Sequence, residues 1–88
     1  MDELPWRVLV AGPAAKYLDR LSIEDRERIR TALLELTAGP HHVAKRLHGR
    51  PEWSLRIGGW RALLDVDASA RTVTVATIGP RGDGDRGS

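Results

Sequence analysis

Residues 45–67 read KRLHGRPEWSLRIGGWRALLDVD, and the fold turns on how this stretch divides. From Trp53 the residue types alternate. Trp53, Leu55 and Ile57 point one way and Ser54 and Arg56 the other, which is the two-residue period of a strand covered on one face. Gly58-Gly59 is a two-residue hairpin signal. The next strand puts Trp60, Ala62, Leu64 and Val66 on one face and Arg61, Leu63 and Asp65 on the other. The apolar set requires a covering layer, so Arg56 and Arg61 emerge together on the uncovered face. Antiparallel neighbours across a tight hairpin lie within ~5–8 Å on one face. Like charges that close oppose folding, so a sequence that keeps both points to a polyanionic partner.

The covering layer lies upstream. Trp6 to Ala11 (WRVLVA) reads as a first strand, apolar enough to be buried. Gly12-Pro13 opens a helix with proline at its favoured first position, and Ala14, Tyr17, Leu18 and Leu21 form its apolar side. Ser22 starts a second helix: Ser22-Ile23-Glu24-Asp25 resembles a capping box, and Ile29, Ala32, Leu33 and Leu36 form the stripe. Glu24, Asp25, Arg26, Glu27, Arg28 and Arg30 are read as a mostly exposed face of mixed sign, and Gly39-Pro40 ends the helix. His41 to Arg50 reads as a loop, Asp67 to Ala70 as a turn, and Thr72 to Ile78 as the last strand with Val73 and Val75 inward. The predicted order is β-α-α-β-β-β. This is an α+β, two-layer fold with a helical hairpin packed on a small, mostly antiparallel sheet. One domain over residues 1–82 is expected, followed by a flexible tail, residues 83–88.

Charge is localised. The net charge of the 88 residues is only +2, and the first forty are near balance. Residues 41–61 hold five Lys/Arg against the single Glu52, together with all three histidines. Such a patch points to nucleic acid or an acidic partner. With no cysteine, disulfides and thiolate metal sites are excluded. No apolar run approaches the ~18 residues of a membrane span, and the acidic start does not resemble a signal peptide, so a cytoplasmic protein is expected. His41-His42 lacks the helical i, i+4 spacing and the acid cluster of a metal site, so no metal and no cofactor are expected. Glu52 reads as an ion-pair partner of Arg50 or Arg56. His48 fits either a solvated loop position or acid–base chemistry, for which imidazole is suited near neutral pH. Arg61 has a plainer reading as a surface partner of Asp65.

Residues 45–64 also resemble the RelE/ParE family of bacterial type II toxins. They follow its pattern K-x-L-x-G-x-P-x-x-x-x-R-x-G-x-Y-R-x-x-Y, with Trp60 and Leu64 at the two aromatic positions. Ile78-Gly79-Pro80-Arg81 is similar to its I-G-x-R tail, and the likeness spans about residues 5–82. The resemblance implies a microbial ribonuclease-like fold and a cognate antitoxin partner. On the RelE branch it implies metal-independent cleavage of mRNA on the ribosome; on the ParE branch it implies DNA gyrase inhibition. Carried over by position, Arg56 would contact the phosphate or assist proton transfer. Arg61 would bind the scissile phosphate and Arg81 would stabilise the transition state. Lys45, Arg46, His48 and Arg50 would hold RNA. Ser54 stands where cleaving members often carry lysine, and residues 82–88 (GDGDRGS) lack their tail tyrosine and terminal helix.

Overall fold

In a computed structural model that describes residues 5–80, the chain runs β1 (Arg7–Val10), α1 (Gly12–Asp19), α2 (Ile23–Leu34), β2 (Lys45–Arg46), β3 (Trp53–Ile57), β4 (Trp60–Asp67) and β5 (Thr72–Pro80). Two short 3-10 turns, Glu35–Ala38 and Pro40–His42, lead from α2 to β2. The expected α+β order is observed with one addition. Lys45–Arg46, read from sequence as loop, pairs antiparallel with β3, Lys45 opposite Ser54 and Arg46 opposite Trp53. Two residues are too few to show a period, so only the tertiary pairing reveals this strand. The expected tail, residues 83–88, and the site candidate Arg81 lie outside the described residues.

The sheet order is β1-β5-β4-β3-β2, with β1 parallel to β5 and all other pairs antiparallel. The parallel strands β1 and β5 are not consecutive: both helices and three strands lie between them, a connection long enough to bring them side by side in the same direction. α1 packs on β5 and α2 on β3, so one face is covered. Ala14, Ile29 and Leu36 from the helical layer meet Ala62, Leu64, Val73 and Val75 from the sheet, all fully buried. Each buried branched side chain contributes about 1.5–3 kcal/mol relative to exposure.

Local chemistry sets the helix ends. Ser22 has extended backbone, and its hydroxyl accepts from the Asp25 N–H at 3.1 Å, the cap expected from sequence. Arg26, read as part of an exposed face, instead folds back on α1. Its guanidinium donates to the Leu18 and Leu21 carbonyls at 3.3 Å each. Carbonyls at a helix end have no partner within the helix, so Arg26 closes the tight junction between α1 and α2. Beyond α2, Gly39 adopts φ +113, and a Cβ there would lie 2.6 Å from the His41 ring.

The first strand is a second correction. β1 forms the sheet edge and is not buried: Leu9 and Val10 are 45% and 42% exposed. Arg7 and Ala11 donate their N–H groups to Arg71 and Val75 at 2.9 Å, which turns the peptide groups of Val8 and Val10 towards the free edge. The apolar run that resembled a core strand is a half-covered one.

Candidate nucleic-acid interface

The hairpin register places Arg56 directly opposite Arg61, with Ile57 and Trp60 closing the turn and Gly58 at φ +57. Leu55, Ile57, Ala62 and Leu64 are buried under the helices, while Arg56 and Arg61 are exposed on the open face. That is the separation expected from the alternation. Next along the open face, Ser54 pairs with Lys45. Thus β2, β3 and β4 each contribute to one basic surface.

These residues line an open hollow of about 410 Å³, bounded by Val43, Lys45, Arg46, Leu47, His48, Ser54, Arg56 and Arg61. Among the described residues no carboxylate borders it, and neither Arg56 nor Arg61 has an ion-pair partner; the pairs observed are Arg30–Glu27 and Arg50–Glu52. The plainer reading of Arg61 as a partner of Asp65 is therefore not realised. Concentrated positive charge without local neutralisation attracts an extended anion.

The other candidates are placed less uniformly. Arg46 borders the hollow, but its guanidinium stands 5.9 Å from the centre of the Trp53 ring, a cation–π contact at the sheet edge. Arg50 bonds Glu52 at 3.2 Å, one of the two partners expected for that acid. It borders a neighbouring hollow over the loop of residues 46–51 and not the strand groove. His48 borders both hollows. The rings of His41 and His42 touch at a tilt of 39° with centres 4.2 Å apart, and no cluster that could hold a metal occurs among the described residues. Val43 and Leu47 are lining residues the sequence did not mark. Neither carries charge or lies in a strand, and only the close approach of β2 to β3 brings them in.

A tight turn holds His48. The Leu47 N–H donates to the Glu52 carbonyl at 3.0 Å, extending the β2–β3 ladder by one rung, and the Arg50 N–H donates to Leu47 at 3.2 Å. His48 and Gly49 are the two corner residues, and Gly49 has φ +75, a conformation that glycine adopts at little cost.

At the far side of the hairpin, Arg61 pairs with Gly79 of β5. The register slips between Leu63, opposite Thr77, and Leu64, opposite Val75, leaving Ala76 as an extra residue. This bulge shifts β5 by one position, so Val73, Val75 and Ile78 all face the core. Gly79 then falls on the open face beside Arg61, with open space where a Cβ would stand.

No family model matches the sequence, and no curated protein matches it. Solved structures match the fold. A toxin–antitoxin complex from Mycobacterium tuberculosis aligns with TM-score 0.80 at 23% identity, over 89% of this chain and all of the other. An archaeal RelE–RelB complex from Pyrococcus horikoshii aligns with TM-score 0.75 at 19% identity, over 90% and 98%. The isolated Escherichia coli RelE toxin aligns with TM-score 0.72 at 23% identity, over 85% and 83%. The chain has the RelE fold.

Proposed function

We propose that this chain is the toxin of a type II toxin–antitoxin pair and acts as a metal-independent, ribosome-dependent endoribonuclease on mRNA. The observation that carries the proposal is the groove of Lys45, Arg46, His48, Arg56 and Arg61 on the open face of a RelE fold, which no carboxylate among the described residues borders. Lys45 and Arg46 hold the message or ribosomal RNA backbone, with Arg50 at the rim. Arg56 and Arg61 grip the scissile phosphate, where guanidinium donors match phosphate oxygens in pairs. The 2′-hydroxyl attacks the adjacent phosphorus, and the leaving group is the 5′-oxygen. Arg81 supplies a further charge to the transition state; it is two positions beyond Gly79, the neighbour of Arg61. Preorganised positive charge at a developing dianion is the largest lever available to such a site. The ribosome as target makes the cytoplasm the site of action.

A cognate antitoxin is the second partner. Two of the similar structures are toxin–antitoxin complexes. Here an apolar hollow of about 370 Å³, with Val8, Val10, Leu18, Leu33 and Leu34 in its lining, adjoins the free edge of β1. An unprotected apolar strand edge is a template for an added chain.

Ser54 favours a second reading. It lies in the groove opposite Lys45, where lysine is frequent in the cleaving toxins the sequence resembles. On that reading the chain inhibits gyrase, or only binds its antitoxin. Induced expression followed by mapping of message 5′-ends separates the two. Codon-aligned cuts that vanish in Arg61→Ala support the nuclease. Intact messages with double-strand DNA breaks support gyrase inhibition, and intact messages without breaks leave antitoxin binding alone.

A further inference from the structure

The geometry points to His48 as the proton-transfer residue of the basic groove, an assignment that rests on the ribonuclease reading above. Transesterification needs a group that accepts the 2′-hydroxyl proton and returns one to the 5′-oxygen. Guanidinium stays protonated, so Arg46, Arg56 and Arg61 cannot accept it. Lys45 is the other cation, Ser54 is the hydroxyl, and among the described residues no carboxylate borders the groove. Among the described residues that line the groove, the His48 imidazole is the one side chain of a class that both accepts and donates protons readily.

Its placement is also specific. His48 sits at the corner of the turn closed by the Arg50 N–H to Leu47 carbonyl bond, with Gly49 at φ +75 beside it. The Leu47 N–H to Glu52 carbonyl bond anchors that turn to β2 and β3, the strands that carry Lys45 and Arg56. The charged groups around it are Lys45 and Arg46 on β2, Arg56 on β3, Arg61 on β4, and the Arg50–Glu52 pair within the loop. The pair leaves the loop's only acid engaged with Arg50 at 3.2 Å.

The step balances without an outside reactant. The neutral imidazole takes the 2′-hydroxyl proton, directly or through one water, as the 2′-oxygen forms its bond to phosphorus. The bond from phosphorus to the 5′-oxygen breaks, and its electron pair stays on that oxygen, which receives the proton from the imidazolium. The products are a 2′,3′-cyclic phosphate and a 5′-hydroxyl. The imidazole is neutral again, and nothing is oxidised or reduced.

Single-turnover cleavage of mRNA on programmed ribosomes, measured from pH 5 to 9, tests the assignment. The proteins compared are the wild type, His48→Gln, His48→Ala and Arg61→Ala, each checked for an unchanged circular dichroism melt. The expected result is a loss of about 10²–10⁴-fold in the cleavage step for both His48 variants. Any change in ribosome affinity should be much smaller than the loss in the cleavage step, the rate–pH profile should lose a limb that the wild type shows, and added imidazole should partly restore His48→Ala. A His48→Gln protein with the wild-type rate and pH profile overturns the assignment while leaving the nuclease reading intact. A loss seen only in affinity, with the pH profile retained, also overturns it. If the wild type itself leaves the message uncut, both fall together.

Discussion

The pairing of Arg56 with Arg61 should be measurable as a repulsion built into the fold. Cβ atoms of directly opposed residues are ~5 Å apart, and long side chains splay, so the two charges are taken at about 7 Å. Both side chains are exposed, which calls for a water-like dielectric, and the Coulomb term is then about 0.6 kcal/mol. With a Debye length of ~30 Å at 0.01 M salt, about 0.5 kcal/mol of that survives; with ~3 Å at 1 M, less than about 0.1 kcal/mol does. Urea unfolding of the wild type, Arg56→Gln, Arg61→Gln and the double variant forms a cycle in which single-residue strand preferences cancel. The expected coupling is unfavourable by about 0.5 kcal/mol at low salt and disappears at high salt. In thermal melts the same change of salt should remove a pair-specific difference of about 2–3 °C for a domain of this size. Each single variant should meanwhile bind single-stranded RNA more weakly, its salt slope shallower by ~0.7 for each phosphate it no longer neutralises. Zero or attractive coupling at low salt would refute the reasoning, because the two arginines would then be at ease without a polyanion.

Gly79→Val should leave the melting temperature unchanged or slightly raised, since space is open there, yet weaken RNA binding by crowding Arg61; filter binding and a melt check the two halves. Gly49→Ala forces φ +75 on a residue with a Cβ and should cost about 1 kcal/mol in urea unfolding, with cleavage reduced further because the turn that presents His48 shifts. Leu34→Lys, at a 60% exposed position in the last turn of α2, should change stability by less than about 0.5 kcal/mol and abolish neutralisation by the antitoxin, read by co-purification and growth rescue. Leu64→Ala removes a fully buried side chain from β4 and should cost about 2–5 kcal/mol, seen as a shifted urea midpoint.

What was legible in the sequence followed from period and turn chemistry. The alternation from Trp53 to Ile57 and from Trp60 to Val66 located both faces of the hairpin, and with them Arg56 and Arg61. Ser22 and Gly58 marked a cap and a turn because each meets a local backbone requirement. What was not legible is set by distant neighbours. The apolar content of Arg7–Val10 is that of a core strand, and nothing local says that it ends up with a neighbour on one side only. Arg46 and Arg50 share the residue type of Arg56, and the resemblance set both to hold RNA. A nearby tryptophan and a nearby glutamate engaged them, and both contacts depend on how the loop closes. Arg26 looked like one more surface charge until the α1–α2 junction supplied two carbonyls for it.

The bulge at Ala76 connects stability with the groove. With a strict two-residue period from Val73, position 78 would face away from the core and position 79 towards it. The buried set is Val73, Val75 and Ile78, so the interval of three between the last two already marks a phase break in the sequence. Burying Ile78 favours that break by about the 1.5–3 kcal/mol of a branched side chain. The break in turn sets a residue without a side chain next to Arg61 on the open face. The core therefore determines the floor of the groove: packing Ile78 inward keeps Gly79 outward, and the arginine beside it stays reachable by a phosphate. Removing Ala76 would join Val75 to Thr77 and give a plain ladder in the same register, with Ile78 still inward and Gly79 still outward, so that deletion should keep both core burial and RNA binding. Point changes on the two faces should act separately, at Ile78 on stability and at Gly79 on RNA binding.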